Sequence, residues 1–255
     1  PWLRLRGDQA GRNFGDEYCS DFVSWWTSSE PRRSLFRRQR LITGGSILHL
    51  LRRRDLVLSV GARSATSDVP QGVVFYGARG PLTASLVEKE VGFATANPFI
   101  GDIGFFVESV YGLPKMDPHR RSVLLLPHYR HIARWMTSIS HNRIFRRASF
   151  LNPRVAPLEV ALAISQHNTV ITSSLHGLIF SLSLGRSVYW ISPPLQEPFF
   201  KYRDFLALIG LEGITPVPDL ESIESGEHHP LTLPEPISGL RPRLPKWATF
   251  CQQFE

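Results

Sequence analysis

The segment Thr172-Ser173-Ser174-Leu175-His176-Gly177-Leu178-Ile179-Phe180 joins a β-branched stretch to an apolar helical one and sets a histidine and two hydroxyls at the junction. A histidine at a strand-to-helix turn lies at the positive end of a helix dipole, beside backbone N–H groups with no partner inside the helix. Such a turn can hold an anion on Ser173, Ser174 and the Gly177 backbone while His176 exchanges a proton with a reacting centre. A second reading stays open, in which Ser173 or Ser174 caps the helix and His176 is an ordinary first-turn residue.

Arg79, in Tyr76-Gly77-Ala78-Arg79-Gly80-Pro81-Leu82-Thr83, follows a strand and precedes a helix. Its fork suits a carboxylate or phosphate bound through two parallel hydrogen bonds, and equally suits pairing with a nearby Asp or Glu. Arg12-Asn13-Phe14-Gly15-Asp16 and Ile100-Gly101-Asp102-Ile103 each set a carboxylate beside a glycine that admits a ligand close to the backbone. Asp16 and Asp102 are therefore candidates to orient or deprotonate a hydroxyl, with Asn13 and Gly15 as ligand contacts, although glycine–aspartate pairs are also common turns. His128, in Leu126-Pro127-His128-Tyr129, lies just past a strand at the same topological edge of the second half. The remaining histidines have no Cys, Asp or Glu at metal-ligand spacing, so no metal is expected. Cys19 and Cys251 form no disulfide framework, which points to a reducing compartment.

Positioning these residues requires short strands feeding helices through glycine turns. Apolar runs predict strands over 2–5, 41–43, 56–60 and 73–76, and helices over 16–28, 46–53 and 81–91, the last opening on a proline suited to a first helical turn. The pattern breaks over 107–121, at Tyr111-Gly112-Leu113-Pro114 and Asp117-Pro118, which predicts a domain linker. Alternation then resumes, with strands over 122–126, 149–151, 169–172 and 187–191 and helices over 132–140, 158–167, 176–184 and 203–209. The expected fold is α/β, with two Rossmann-like domains, 1–115 and 116–255, facing a cleft, and ligands at the carboxyl ends of the strands.

Composition narrows the partners. Against 22 Asp+Glu the 255 residues carry 29 Lys+Arg, a formal +7 that favours an anionic ligand. The basic residues are scattered and no helix-turn-helix, zinc-finger or ribonucleoprotein signature occurs, so nucleic acid is not expected. The densest cluster, Arg32, Arg33, Arg37, Arg38 and Arg40, reads as a solvated face, with a membrane-surface patch as the other reading. No apolar run approaches the roughly 18 residues of a membrane span, so a soluble protein is expected.

Asn13-x-Gly15-Asp16, Gly44-Gly45-Ser46-Ile47-Leu48, Ala78-Arg79-Gly80-Pro81-x-Thr83, Gly101-Asp102, Pro127-His128-Tyr129 and Ser173-Ser174-Leu175-His176-Gly177 occur in an order that resembles the polysaccharide pyruvyl transferase family, in particular its bacterial exopolysaccharide ketal-transferase branch. The resemblance spans about residues 10 to 190. It implies a fold similar to the glycosyltransferase-B architecture, phosphoenolpyruvate as donor without a cofactor or required metal, and a sugar acceptor, on a lipid-linked oligosaccharide, at the cytoplasmic face of the membrane. It maps the family histidine onto His176, the anion-gripping arginine onto Arg79 and the early loop onto Asn13 and Asp16, with Gly44 and Gly45 in the binding loops. Some relatives carry an arginine where this chain has Ser174, so that contact would fall to Lys201 or Arg203. Ile103 also stands where the family often has proline. Two other functions are compatible with the same pattern: a nucleotide-sugar glycosyltransferase and a non-catalytic polyanion-binding module.

Overall fold

The computed structural model describes residues 13–31, 39–113, 122–141, 144–233 and 243–245. The strand expected over 2–5, the boundary at 115/116 and Arg32, Arg33, Arg37 and Arg38 lie outside these residues. Helix α1 (Phe14–Thr27) comes first, with its Asn13 cap accepting a hydrogen bond from Gly15 N at 3.1 Å. It buries Phe14, Tyr18 and Phe22, the i, i+4, i+8 face, and ends at Ser28 in the left-handed region.

Strands β1 (Leu41–Ile42), β2 (Leu56–Val57) and β3 (Val74–Phe75) form a parallel sheet in that order. Strand β4 (Gly77–Ala78) pairs in parallel with β5 (Phe99–Ile100), and only Tyr76 separates β3 from β4. Tyr76 N donates to Val57 O and Phe99 N donates to Tyr76 O, both at 2.8 Å, so the two ladders run on as one layer. Helix α2 (Pro81–Glu90) follows β4, with its proline in the first turn as expected.

The helix expected over 46–53 is a single 3-10 turn, Leu48–Leu50. The chain turns there because the Asp55 carboxylate gathers Arg52 N at 2.7 Å and the guanidinium of Arg40, whose Nε lies 2.7 Å from Asp55 Oδ1 and whose Nη2 bonds Oδ2. Arg40 and Asp55 are both buried. Arg40 thus does not belong to a solvated face: paired with one buried carboxylate, its charge is unavailable to a membrane surface.

The segment over 107–113, expected to begin a linker, instead carries helix α3 (Val107–Tyr111), with Val107 and Leu113 buried in the core. The apolar periodicity there is too short to register as a helix, and Gly112 supplies the left-handed residue that ends it.

The second sheet is parallel in the order β7-β6-β8-β9, built from β6 (Val123–Leu126), β7 (Ser149–Phe150), β8 (Thr169–Thr172) and β9 (Ser187–Trp190). Helices α4 (Ile132–His141), α5 (Pro157–Ser165) and α6 (Leu175–Ser183) make the crossovers. Because β7 returns to one side of β6 and β8 lies on the other, the order reverses between β6 and β8, the kind of point at which open parallel sheets bind ligands. Helices α7 (Phe200–Leu208) and α8 (Glu221–Glu224) complete the chain, and α7 packs against α2. One apolar cluster joins Phe14, Tyr18 and Phe22 to Leu178 and Phe180, so α1 packs on the helical layer of the second sheet. No helix among the described residues is long and apolar enough to cross a membrane.

Candidate active site

His176 is the second residue of α6, and Ser174 rather than Ser173 caps that helix, its Oγ accepting from Gly177 N at 3.4 Å. The imidazole is 9% exposed. Phe14 and Phe180 meet it edge-on, at centroid separations of 6.3 and 6.5 Å, and the ring lies against the backbone of Gly15. A Cβ at Gly15 would fall 1.8 Å from His176 Nδ1, so only glycine admits the ring at the start of α1. The expected cleft-edge histidine is instead a packed one, because α1 closes over it.

Burial lowers the pKa of His176, Asp102 and Asp16 draw it back up, and Arg79 and Lys201 push it down. The loops after β4 and β5, the start of α1 and helix α7 thus converge electrostatically on one imidazole. Asp102 is buried and caps the 3-10 turn Ile103–Phe106 by accepting from Gly104 N at 2.7 Å. Asp16 is exposed, with Oδ2 3.1 Å from Asn13 Nδ2. Cys19, beneath them and in contact with Gly44, is a buried thiol whose pKa burial pushes up to about 12, so it stays protonated and unreactive.

Arg79 has no solvent-exposed surface. Its Nη1 donates to Ser46 Oγ at 2.7 Å, in the turn shaped by Gly45 at φ +93°. Nε lies 3.9 Å from Asp204 Oδ2, close enough for charge attraction but not for a hydrogen bond, and among the described residues Nε and Nη2 both lack a hydrogen-bond partner. A buried guanidinium with two nitrogens that bond to no described residue is unusual, since buried donors are ordinarily paired. Gly61 makes the room: a Cβ there would lie 1.9 Å from Nη2.

Asp204, which sequence reasoning missed, reaches from α7 to the start of α2 and accepts from Leu82 N at 2.9 Å, Thr83 N at 3.0 Å and Thr83 Oγ1 at 2.6 Å. It satisfies the free N–H groups of that helix across 121 residues of sequence, and no local pattern announces it. Glu197, also missed, had one available signal, its position four residues before Lys201. It pairs with Lys201, and its Oε1 is 3.6 Å from both His128 Nε2 and Arg130 Nε.

Ser173 is committed internally, its Oγ accepting from His128 N at 2.9 Å and meeting His131 Nδ1 at 3.0 Å. Gly177 serves packing, because a Cβ there would lie 2.3 Å from Thr172 Oγ1. Arg203 stands apart, exposed, with its guanidinium 5.5 Å from the Phe199 ring centroid.

A family model for polysaccharide pyruvyl transferase matches residues 41–194, more than half of the chain. The chain belongs to the polysaccharide pyruvyl transferase family. Membership makes it a transferase. The matched region includes Gly44, Arg79, Asp102, His128 and His176, whereas Asn13–Asp16 and the α7 residues Lys201 and Asp204 lie outside it. No individual curated protein and no solved structure matches significantly.

Proposed function

We propose that this pyruvyl transferase moves the carboxyvinyl unit of phosphoenolpyruvate onto two hydroxyls of a sugar, giving a pyruvate ketal and inorganic phosphate. The observation that carries the reading is the buried Arg79 guanidinium, with Nε and Nη2 unpartnered, in electrostatic contact with His176. A small donor with a carboxylate and a phosphate supplies the acceptors that this arrangement lacks.

In this mechanism His176 gives a proton to C3 of the donor, and the electron pair of the double bond forms the C3–H bond. C2 becomes electrophilic while Arg79 holds the carboxylate. One acceptor hydroxyl adds at C2 and loses its proton to Asp16 or Asp102. The C2–O bond to phosphate then breaks, with charge on the leaving group offset by Lys201 and the helix dipole of α6 and the aspartate's proton leaving on phosphate, and the second hydroxyl adds at C2, giving its proton to the now neutral His176 to complete the ketal and restore the acid. No redox or carrier cofactor enters this balance. Lys201 takes the place of the arginine that Ser174 replaces. Phosphoenolpyruvate is a cytoplasmic metabolite, which places the reaction there, with a lipid-linked oligosaccharide in exopolysaccharide assembly as acceptor.

His176 must be charged to start the sequence, yet burial, Arg79 and Lys201 keep the free ring neutral near pH 7. An anionic donor reverses that balance. Its binding raises the His176 pKa, so complex formation takes up protons at pH between the free and the bound value. Calorimetric titration of phosphoenolpyruvate in buffers of differing ionisation enthalpy is expected to show that uptake, and UDP-glucose is expected to give no binding heat. Tight UDP-glucose binding with no response to phosphoenolpyruvate would instead favour a glycosyltransferase.

Gly61→Ala offers a further check. Its Cβ displaces the Arg79 guanidinium, so phosphoenolpyruvate affinity is expected to fall about tenfold or more, the effect of losing a charge-assisted hydrogen bond. Unchanged affinity in the same titration would separate Arg79 from the donor.

A further inference from the structure

Helix α2 has Gly80 at its cap position and no side-chain cap of its own. Asp204, fully buried, supplies one from α7: Oδ1 accepts from Leu82 N at 2.9 Å and Thr83 N at 3.0 Å, and Oδ2 accepts from Thr83 Oγ1 at 2.6 Å. The Thr83 hydroxyl accepts in turn from Ala62 N at 3.0 Å, so its own proton is directed at Asp204. Gly80 permits the approach, since a Cβ there would lie 2.5 Å from Oδ1. Helix α7 is also tied to the turn before His176, where Tyr202 Oη donates to Ser173 O at 3.0 Å. Moving onto Arg79 would cost the carboxylate its bonds to α2.

That fixed position matters to the guanidinium beside it. A buried guanidinium is destabilising without a counter-charge, because it has been taken out of water. A two-pronged pair with Asp204 would supply the charge, but it would occupy the donors that a ligand carboxylate needs. At 3.9 Å from Nε, beyond hydrogen-bonding length, Asp204 balances the charge and leaves Nε and Nη2 without a bond among the described residues. The same carboxylate opposes any anion that binds Arg79, since two negative groups then share one guanidinium.

We infer that Asp204 is a positioning residue that acts through Arg79: it is the resident counter-ion that stabilises the guanidinium before the donor binds and loosens the hold on the product afterwards. The inference rests on the proposed transfer, in which phosphoenolpyruvate and the pyruvate ketal both present a carboxylate to Arg79. Because the ketal keeps that carboxylate, every turnover requires Arg79 to release it, and Asp204 is the anion that takes the charge back.

The test compares wild type with Asp204→Asn, Arg79→Met and the double variant. Phosphoenolpyruvate binding is read by calorimetry, stability by the urea midpoint, and turnover by phosphate release with methyl glycosides of glucose, galactose and mannose as acceptors. Asparagine keeps the size of the side chain and an oxygen for both N–H groups, and it caps helices as well as aspartate does, so a role limited to capping predicts no change. A counter-ion predicts otherwise. In Asp204→Asn the urea midpoint without ligand is expected to fall, and phosphoenolpyruvate is expected to bind about tenfold more tightly, the lower end of couplings between close charges. KM and kcat are expected to drop together as ketal release slows. Unchanged or weaker phosphoenolpyruvate binding would overturn the inference and leave Asp204 as a helix cap. If wild type binds no phosphoenolpyruvate, the donor reading falls and stability alone decides the counter-ion. Asp204→Asn should then cost less stability in the Arg79→Met background than in wild type, and an equal loss in both would overturn the pairing.

Discussion

Replacing His176 with glutamine is expected to lower kcat by about a hundredfold or more, the range contributed by a positioned acid or base, while phosphoenolpyruvate affinity changes far less. The substitution is chosen for the packing. The imidazole is wedged between Phe14, Phe180 and the Gly15 backbone, so alanine would open a cavity and mix a stability loss into the result. Glutamine fills comparable space and donates a hydrogen bond, but it cannot carry a proton. Phosphate release at saturating donor, with a urea midpoint measured alongside, separates the two effects. Turnover within a few-fold of wild type would remove His176 as the proton donor.

Arg79→Lys is expected to weaken phosphoenolpyruvate binding by about ten- to a hundredfold although the charge is kept. The guanidinium is fixed through Nη1 on Ser46, and that anchor leaves Nε and Nη2 as the two donors for a carboxylate. An ammonium can replace the anchor or one donor, not all three. Stability should change little, because the missing Nε and Nη2 bond to none of the described residues, and Asp204 keeps its three bonds to α2. An unchanged calorimetric affinity would exclude Arg79 from the donor site.

Much of the scaffold is legible where local chemistry and tertiary placement agree. Thr169–Thr172 reads as a strand because β-branched residues suit a buried parallel position, and Ser173-Ser174 marks the start of α6 because a serine cap is useful wherever the helix packs, although only the structure picks Ser174 of the two. Gly77–Ala78 and Phe99–Ile100 carry no such signal, being two-residue strands defined only by pairing with each other. The site divides in the same way. His176, Arg79 and Asp102 follow strands β8, β4 and β5, and Asp16 lies in the first turn of α1, so all four can be picked out by position. Asp204 and Gly61 cannot, because one caps a helix far away in sequence and the other matters only for the guanidinium lying over it. Arg40 shows the opposite failure: an arginine-rich stretch suggests solvent, and one buried carboxylate, Asp55, overrides the suggestion.

Transfer itself is the most direct test of the assignment of donor and chemistry. Purified protein incubated with phosphoenolpyruvate and the methyl glycosides is expected to release inorganic phosphate in equal amount to a glycoside product that carries a pyruvate ketal, identified by mass and by the ketal methyl resonance. The release should require the glycoside and disappear in both His176→Gln and Arg79→Lys at donor concentrations near the wild-type KM. Phosphate release without a ketal product, or ketal formation that survives both substitutions, would contradict the account.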